Sequence, residues 1–155
     1  MLDAPPPISA GDLIDQIEGR YHAVHRDELP ALLSLARRVE AQHASHPDVP
    51  RGLTDHLERM ARDLEHHMMK EEQGLFPMLR GAEGNPAFAI ELMRDEHEEH
   101  AVHLRRLAAL THDYQPPAGA SPEWRALYAA AAKFASDLEA HIYAENNELF
   151  PRFEH

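Results

Sequence analysis

The sequence contains no cysteine, and this absence excludes several kinds of chemistry at once. Without thiols the chain can form no disulfide, no thiolate nucleophile and no cysteine-ligated zinc or iron–sulfur site. Glycine is also scarce, with seven residues among 155, and β-branched residues are few. Because good helix formers such as Ala, Leu, Glu, Arg and Met are plentiful instead, the composition favours a helical protein.

A surplus of positive charge and a long apolar run are missing as well. The formal net charge is −12, so the chain lacks the basic surface with which proteins bind nucleic acid or anionic membranes. No apolar run approaches the ~18 residues of a membrane-spanning helix. The N-terminal MLDAPPPISAGD is unlike a signal or transit peptide. We therefore expect a cytoplasmic protein with no nucleic-acid partner and no membrane partner.

Histidine is the residue that the sequence has in excess, with thirteen in the chain. In an acidic chain without cysteine, imidazole and carboxylate are the metal ligands that remain. This combination suits iron, manganese or zinc. The composition therefore raises the hypothesis of a metal site built from His and Asp or Glu side chains.

Apolar residues recur every three to four positions along four stretches, which is the pattern of amphipathic helices. Prolines and glycines separate the stretches, and residues that favour helix starts precede them, such as Ser9, Asn85 and Ser121. From this pattern we predict four long helices, over about residues 9–43, 51–76, 86–112 and 122–150.

The predicted fold is all-α: an up-down-up-down antiparallel four-helix bundle. Connections of about five to eight residues favour antiparallel neighbours, and the chain length suits one domain with a single sizeable core. We predict the bundle over residues 9–155, after an extended N-terminal tail over residues 1–8. Pro30 lies inside the first predicted helix, where we expect it to kink the helix.

One motif occurs twice in the chain. HMMKEEQGLFP at residues 67–77 and HIYAENNELFP at residues 141–151 both read His-x-x-x-Glu-x-x-x-Leu-Phe-Pro. In each copy the His and the Glu lie one helical turn apart on the same face. The Leu-Phe-Pro end of each copy is interpreted as core packing followed by a helix stop.

The duplication extends to the other two helices. His22 precedes the first copy at nearly the same distance as His97 precedes the second, so the chain resembles two copies of a helical hairpin. Packed about a pseudo-two-fold axis, the hairpins would bring four imidazoles and two carboxylates together in mid-bundle. Such buried carboxylates are costly unless they are paired or bound to a metal. We predict two metal ions, each held by two imidazoles and by two bridging carboxylates, from the set His22, His67, Glu71, His97, His141 and Glu145.

Several other histidines are expected outside this set. At ~1.5 Å per residue, His43 would lie ~30 Å from His22 on a straight helix, so both cannot bind one cluster. His25, His100 and His103 are expected near the site without being ligands. A metal-free layer of salt-bridged polar residues is the alternative interpretation, but it does not explain why the motif is repeated.

These motifs resemble those of the hemerythrin-like (HHE cation-binding) domain, and differ from the Glu-x-x-His pattern of ferritin-like di-iron proteins. Within the hemerythrin-like group the chain looks like the di-iron domain of the repair-of-iron-centres proteins. The resemblance covers nearly the whole chain. Its motifs here are RYH at 20–22, VEAQH at 39–43, PRGLT at 50–54, HMMKEEQ at 67–73, EH at 96–97 and ENNELFPR at 145–152.

The resemblance implies two iron ions, bridged by oxo or hydroxo, that are bound by the same six residues. It also implies a role in nitrosative or oxidative stress: binding or reducing nitric oxide, or supporting the repair of iron–sulfur centres in partner proteins. An oxygen-binding or redox-sensing module and an iron store or donor are the alternatives. The family pattern has a histidine at the position of His43 too.

Two departures from the pattern limit what can be carried over. Oxygen-carrying hemerythrins have His-x-x-x-His on the third helix, whereas here Ala101 follows His97 by four positions. This places reversible oxygen storage in question. The repair proteins usually begin with a small cysteine-bearing domain, and this sequence has no cysteine, so functions that need that domain are not carried over.

Overall fold

The computed structural model describes residues 8–154, and every regular element within that range is helical. The first helix has three successive segments, Ala10–Ile17, Glu18–His22 and Ala23–Gln42. The second helix likewise comprises Leu53–Lys70, Glu71–Leu75 and Phe76–Leu79. The third helix is the single segment Ala87–Leu110. The fourth helix comprises Pro122–Tyr143, Ala144–Leu149 and Phe150–Phe153. The predicted tail over residues 1–8 lies, apart from Ile8, outside the described residues.

Ion pairs show that neighbouring helices run in opposite directions. Along the first and second helices the pairs are Arg37–Glu58 at 2.8 Å, Arg26–Glu65 at 2.9 Å and Arg80–Asp15 at 2.6 Å. The residue number falls in one helix as it rises in the other. The first helix also packs against the fourth, and the second against the third. The predicted antiparallel four-helix bundle is confirmed.

Two of the helices begin at the serines that the sequence indicates. The hydroxyl of Ser9 accepts a hydrogen bond from the Asp12 N–H at 3.1 Å, and that of Ser121 accepts from the Trp124 N–H at 3.2 Å. Each hydroxyl satisfies one of the N–H groups that a helix start leaves without a partner. The second helix starts instead at Gly52, whose φ of 87° favours a residue without a side chain.

Two prolines lie inside helices. The segment Ala23–Gln42 runs through Pro30 as continuous α-helix, and the second helix passes Pro77 and ends at Leu79 rather than at Phe76. The interpretation of Leu75-Phe76-Pro77 as a helix stop was therefore wrong. The helix survives Pro77 because the turn in front of that proline is wider than an α-helical turn, as described for the metal centre below.

His43 connects two helix ends far from the predicted ligands. It caps the end of the first helix, its Nε2 lies 3.1 Å from the Ser121 hydroxyl, and its ring lies 4.8 Å from that of Trp124. Ser121 is the N-cap residue of the fourth helix. His43 therefore joins the end of one helix to the start of another, which gives this histidine a structural role.

Replacement of Ser121 by alanine is expected to lower the free energy of unfolding by about 0.5–2 kcal/mol, because it removes a helix cap and the partner of His43. Chemical denaturation at constant metal loading would measure the loss. The matched control is Ser34→Ala, since Ser34 is exposed in the middle of the first helix. Equal stability of the two variants would contradict a capping role for Ser121.

The apolar core has two parts. The larger cluster, which includes Leu53 and Trp124, lies toward the end of the bundle where the 43–52 and 111–121 connections are found. The smaller cluster, which includes Ile14 and Phe150, lies at the opposite end. Buried polar side chains, mostly histidines, occupy the level between the two clusters. Across residues 8–154 no helix combines the length and apolar content needed to cross a membrane.

Candidate metal centre

Wide, π-helical turns accompany the repeated motif. In each copy the N–H of the Phe donates to the carbonyl of the Glu five residues earlier, Phe76 to Glu71 and Phe150 to Glu145. The proline that follows has no N–H, and its ring crowds the carbonyl four residues back in an ordinary α-turn. A π-turn relieves this conflict, and such turns are frequent at functional sites. In both copies of the motif the wide turn thus begins at or next to the glutamate and accommodates the proline that follows.

All six predicted ligands lie in the buried layer between the two apolar clusters, and none is more than 3 % exposed. Their nitrogen and oxygen atoms form two groups, within each of which the atoms lie no more than 4.8 Å apart. The first group contains His22, Glu71, His141 and Glu145, and the second contains His67, Glu71, His97 and Glu145. Both glutamates belong to both groups.

The two carboxylates face the groups in different ways. Glu145 divides its oxygens, since Oε2 lies 2.9 Å from His141 Nε2 and Oε1 lies 2.8 Å from His97 Nε2. Glu71 uses a single oxygen, with Oε1 3.2 Å from His22 Nε2 and 3.3 Å from His67 Nε2. Each carboxylate is therefore placed between the two groups, as a bridging ligand must be.

The polar atoms inside this layer are poorly satisfied by one another. Both oxygens of Glu71 and Oε1 of Glu145 lack a hydrogen bond, although imidazole nitrogens are close. The Nε2 atoms of His22 and His141 face each other at 3.2 Å, as do those of His67 and His97. Buried carboxylates without donors are costly. A cation in each group would be coordinated by these same atoms, so the donor set fits a metal site.

The outer nitrogens of two histidines bind residues that belong to the repeat itself. His22 Nδ1 lies 2.7 Å from Glu72 Oε2, and His97 Nδ1 lies 2.7 Å from Asn146 Oδ1. Because these oxygens can only accept, the Nδ1 atom carries the proton and the lone pair of Nε2 points inward. Partners of this kind orient metal-binding histidines.

The other two histidines have outer partners as well. His67 Nδ1 lies 2.9 Å from Glu96 Oε1, and Lys70 donates to the other oxygen of Glu96. His141 Nδ1 lies 3.2 Å from His25 Nε2. Burial raises the pKa of Glu96, but hydrogen bonds from His67 and Lys70 lower it to about 2. Burial, assisted by the nearby His141, lowers the pKa of His25 to about 3. His67 thus has an anionic partner and His141 a neutral one.

The buried carboxylates and imidazoles of the layer shift one another's pKa values. Burial lowers the pKa of His141, yet the carboxylates of Glu145 and Glu71 raise it to about 9. Burial would raise the pKa of Glu145, but the charge and hydrogen bond of His141 hold it well below its usual value. Both effects require ionised carboxylates in the interior. Such a layer attracts cations.

Aromatic rings cover the histidines, and two of these rings come from the repeat. Phe76 stacks on His22 and Phe150 stacks on His97, each with ring centres 5.8 Å apart. Tyr21 stacks on His141 at 5.4 Å. The phenylalanines of both Leu-Phe-Pro sequences are therefore core residues, as interpreted from the sequence. Each also packs on the imidazole that comes from the other helix of its own hairpin.

Of the three histidines that we expected near the site, two lie beside the buried layer. His25 and His100 are buried beside the layer, the ring of His100 being 4.9 Å from that of His67. His103 packs on His56 instead, with ring centres 5.6 Å apart. Neither metal group includes His43.

The roles of two residues at the site, Glu72 and Asn146, were not predicted from the sequence. The signal that could have found them is their position, since each directly follows the glutamate of its copy of the repeat. Glu96, the partner of His67, has no such signal, because nothing in the repeat corresponds to it.

A four-helix bundle that buries imidazoles and carboxylates in two groups of cation-binding size belongs to the class of helical metal-binding proteins. The family model of the Hemerythrin HHE cation binding domain matches residues 14–153. The chain is a member of this family, which confirms the resemblance inferred from the motifs.

Related proteins from several bacteria are similar in sequence to almost the whole chain. The iron-sulfur cluster repair protein YtfE of Dickeya chrysanthemi (strain Ech1591) is 44 % identical over 145 residues, which are 93 % of this chain. The proteins of the same name from Salmonella paratyphi B and Salmonella newport are 42 % identical over 146 residues, or 94 % of this chain. The chain spans 66 % of the length of each of these relatives.

Proposed function

We propose that the chain is a non-haem di-iron protein of the nitrosative and oxidative stress response. It binds or reduces nitric oxide, or supports the repair of iron–sulfur centres. The observation that carries this proposal is the pair of atom groups that share Glu71 and Glu145. Two groups with common carboxylates suit two ions held side by side, with an oxo or hydroxo bridge between them.

The donor set favours iron as the metal. Each group offers two imidazole nitrogens and oxygens from two carboxylates, a mixture that suits iron in proteins. The ligands would be His22 and His141 for one ion, His67 and His97 for the other, and Glu71 with Glu145 for both. Family membership supports a cation at this position.

Open coordination positions support a small diatomic ligand. Four protein donor groups per ion leave room for further ligands on iron, as in catalytic metal sites. Ala101 stands four residues after His97, where a fifth histidine would otherwise fill such a position. Iron held by these residues would supply binding of the diatomic molecule and electron transfer to it, and the burial of the layer would restrict access to small molecules.

The names of the relatives support a role in the repair of iron–sulfur centres. The chain has no cysteine with which to hold an iron–sulfur cluster, so the repaired centres would belong to partner proteins. A net charge of −12 makes nucleic acid an unfavourable partner. The cytoplasm, where iron–sulfur proteins are found and thiols stay reduced, is the proposed location.

Titration of the reduced, iron-loaded protein with nitric oxide under anaerobic conditions tests the proposal. We expect the optical and EPR spectra of the iron centre to change until about two molecules have bound per chain, because each iron of an open site binds one. The metal-free protein is the control. An iron centre whose spectra do not respond to nitric oxide would overturn the proposal.

The same sample separates binding from turnover and from the alternatives. Release of nitrous oxide with excess reductant would indicate reduction of nitric oxide, and its absence would indicate a binding module. A stable adduct with oxygen would favour the oxygen-binding alternative. Transfer of iron to a metal-free iron–sulfur protein would favour an iron donor.

A further inference from the structure

The duplication that builds the metal centre is broken at one chemically important position. The residue after the bridging glutamate is Glu72 in the first copy and Asn146 in the second. The two residues have the same role. Each binds the Nδ1 atom of the histidine from the other helix of its hairpin at 2.7 Å. One acceptor carries a negative charge and the other is neutral.

Neighbouring arginines hold both acceptors in place. Arg26 donates to the two oxygens of Glu72 at 2.8 and 2.9 Å, and burial of Glu72 is outweighed by Arg26 and His22, so its pKa stays below the usual value. Arg94 donates to the backbone carbonyl of Asn146 at 3.1 Å. Arginines therefore fix the carboxylate of Glu72 and the backbone of Asn146 beside the centre.

We propose that Glu72 and Asn146 are positioning residues that set the reduction potential of the metal centre, through His22 and His97 respectively. The inference rests on the proposed di-iron site. A charged acceptor makes the imidazole a stronger electron donor than a neutral acceptor does. Negative charge near the metal also stabilises its more oxidised form. The chain thus provides one strongly donating imidazole and one weaker one at matching positions of the two hairpins.

Two single substitutions exchange the acceptors and have opposite expected effects. Glu72→Gln removes a negative charge while keeping an acceptor oxygen, so the midpoint potential should rise. Asn146→Asp adds a charge at the same point of the other hairpin, so the potential should fall. The double variant E72Q/N146D restores the total charge, and its potential should lie between those of the single variants. Anaerobic redox titration of the iron-loaded proteins, followed optically, measures all four.

Each substitution has a matched control nearby. Glu65→Gln removes a charge from the same arginine, since Glu65 also binds Arg26 at 2.9 Å without contacting His22. Asn147→Asp adds the same charge one residue further on, at an exposed position. Both controls should shift the potential less than the corresponding test variants. Loss of the acceptor in Glu72→Ala should lower metal affinity by about 10- to 100-fold, and Glu72→Gln should retain most of that affinity.

The outcomes distinguish this inference from the di-iron proposal. If the unsubstituted protein does not hold two irons, the di-iron proposal fails before any variant is compared. If it holds two irons and both variants shift the potential in the same direction, or no further than their controls, then Glu72 and Asn146 are structural residues only. Opposite shifts at unchanged iron content would establish their role in setting the potential.

Discussion

Replacement of Glu145 by leucine is expected to yield a folded chain that retains neither of the two metal ions of the proposed centre. The Glu145 carboxylate places one oxygen in each of the two groups, so a single substitution removes a donor and a negative charge from both. Leucine has a similar volume and suits a buried position, and the flanking apolar clusters are untouched. Metal analysis of the purified variant should therefore show loss of both ions together rather than of one.

The matched control for this substitution is Glu148→Leu. Glu148 lies in the same helical segment but is exposed, and its replacement should leave the metal content unchanged. Far-UV circular dichroism would verify that both variants retain the helical bundle. A Glu145→Leu protein with two ions per chain would show that the carboxylate is not a ligand, and a protein with one ion would show that it does not bridge.

Removal of each metal ion of the proposed centre is expected to lower the melting temperature of the unsubstituted protein by roughly 8–16 °C. An ion at about 1,000 times its dissociation constant stabilises the folded state by about 4 kcal/mol. For a chain of this size each kcal/mol corresponds to roughly 2–4 °C. The physical cause is that two ionised carboxylates and four imidazoles lie buried in one layer, where a cation offsets their mutual repulsion and desolvation.

Thermal denaturation of the chelator-treated and metal-loaded proteins would measure this difference, and addition of ferrous iron should reverse it. The Glu145→Leu protein serves as the control, since a chelator should not change its melting temperature. Helicity at room temperature should be similar with and without metal, because the two apolar clusters flank the layer on both sides. Equal melting temperatures would mean that the layer does not depend on a cation.

The four-helix bundle could be predicted because the local features that indicate helices and short connections recur along the chain. Apolar residues at helical spacing, capping serines and short connections all point to four antiparallel helices, and each is a local property. The six buried residues could be predicted for a different reason. The repeat relates the two hairpins, so residues at matching positions are expected to meet near the axis that relates them.

The axial level of the residues could not be predicted from straight helices. Ideal geometry puts His22 and His67 ~10 Å apart along the bundle, and a kink at Pro30 would have been needed to bring them together. In the structure His22 lies level with Glu71 and Glu72 instead, and His67 belongs to the other group. The offset of the backbones does not separate the side chains, because Nε2 of His22 and Nε2 of His67 lie 3.2 and 3.3 Å from the same atom, Oε1 of Glu71.

The three π-helical turns were also not predicted from the sequence, and the reason differs from one turn to another. Those at Glu71–Leu75 and Ala144–Leu149 precede prolines, so the sequence contains their cause. The turn at Glu18–His22 has no following proline nearby. Its conformation depends on packing between helices, which a local pattern does not report. The same holds for the contact between His67 and Glu96, which joins two helices.

Each metal group takes residues from both hairpins: His22 and Glu71 come from the first half of the chain, and His141 and Glu145 from the second. Neither hairpin can therefore complete a binding site without the other. In the proposed centre, the ions can therefore be captured only after the two halves of the chain have docked. Folding would then precede metal uptake, and newly made protein could wait as a closed bundle until iron is supplied.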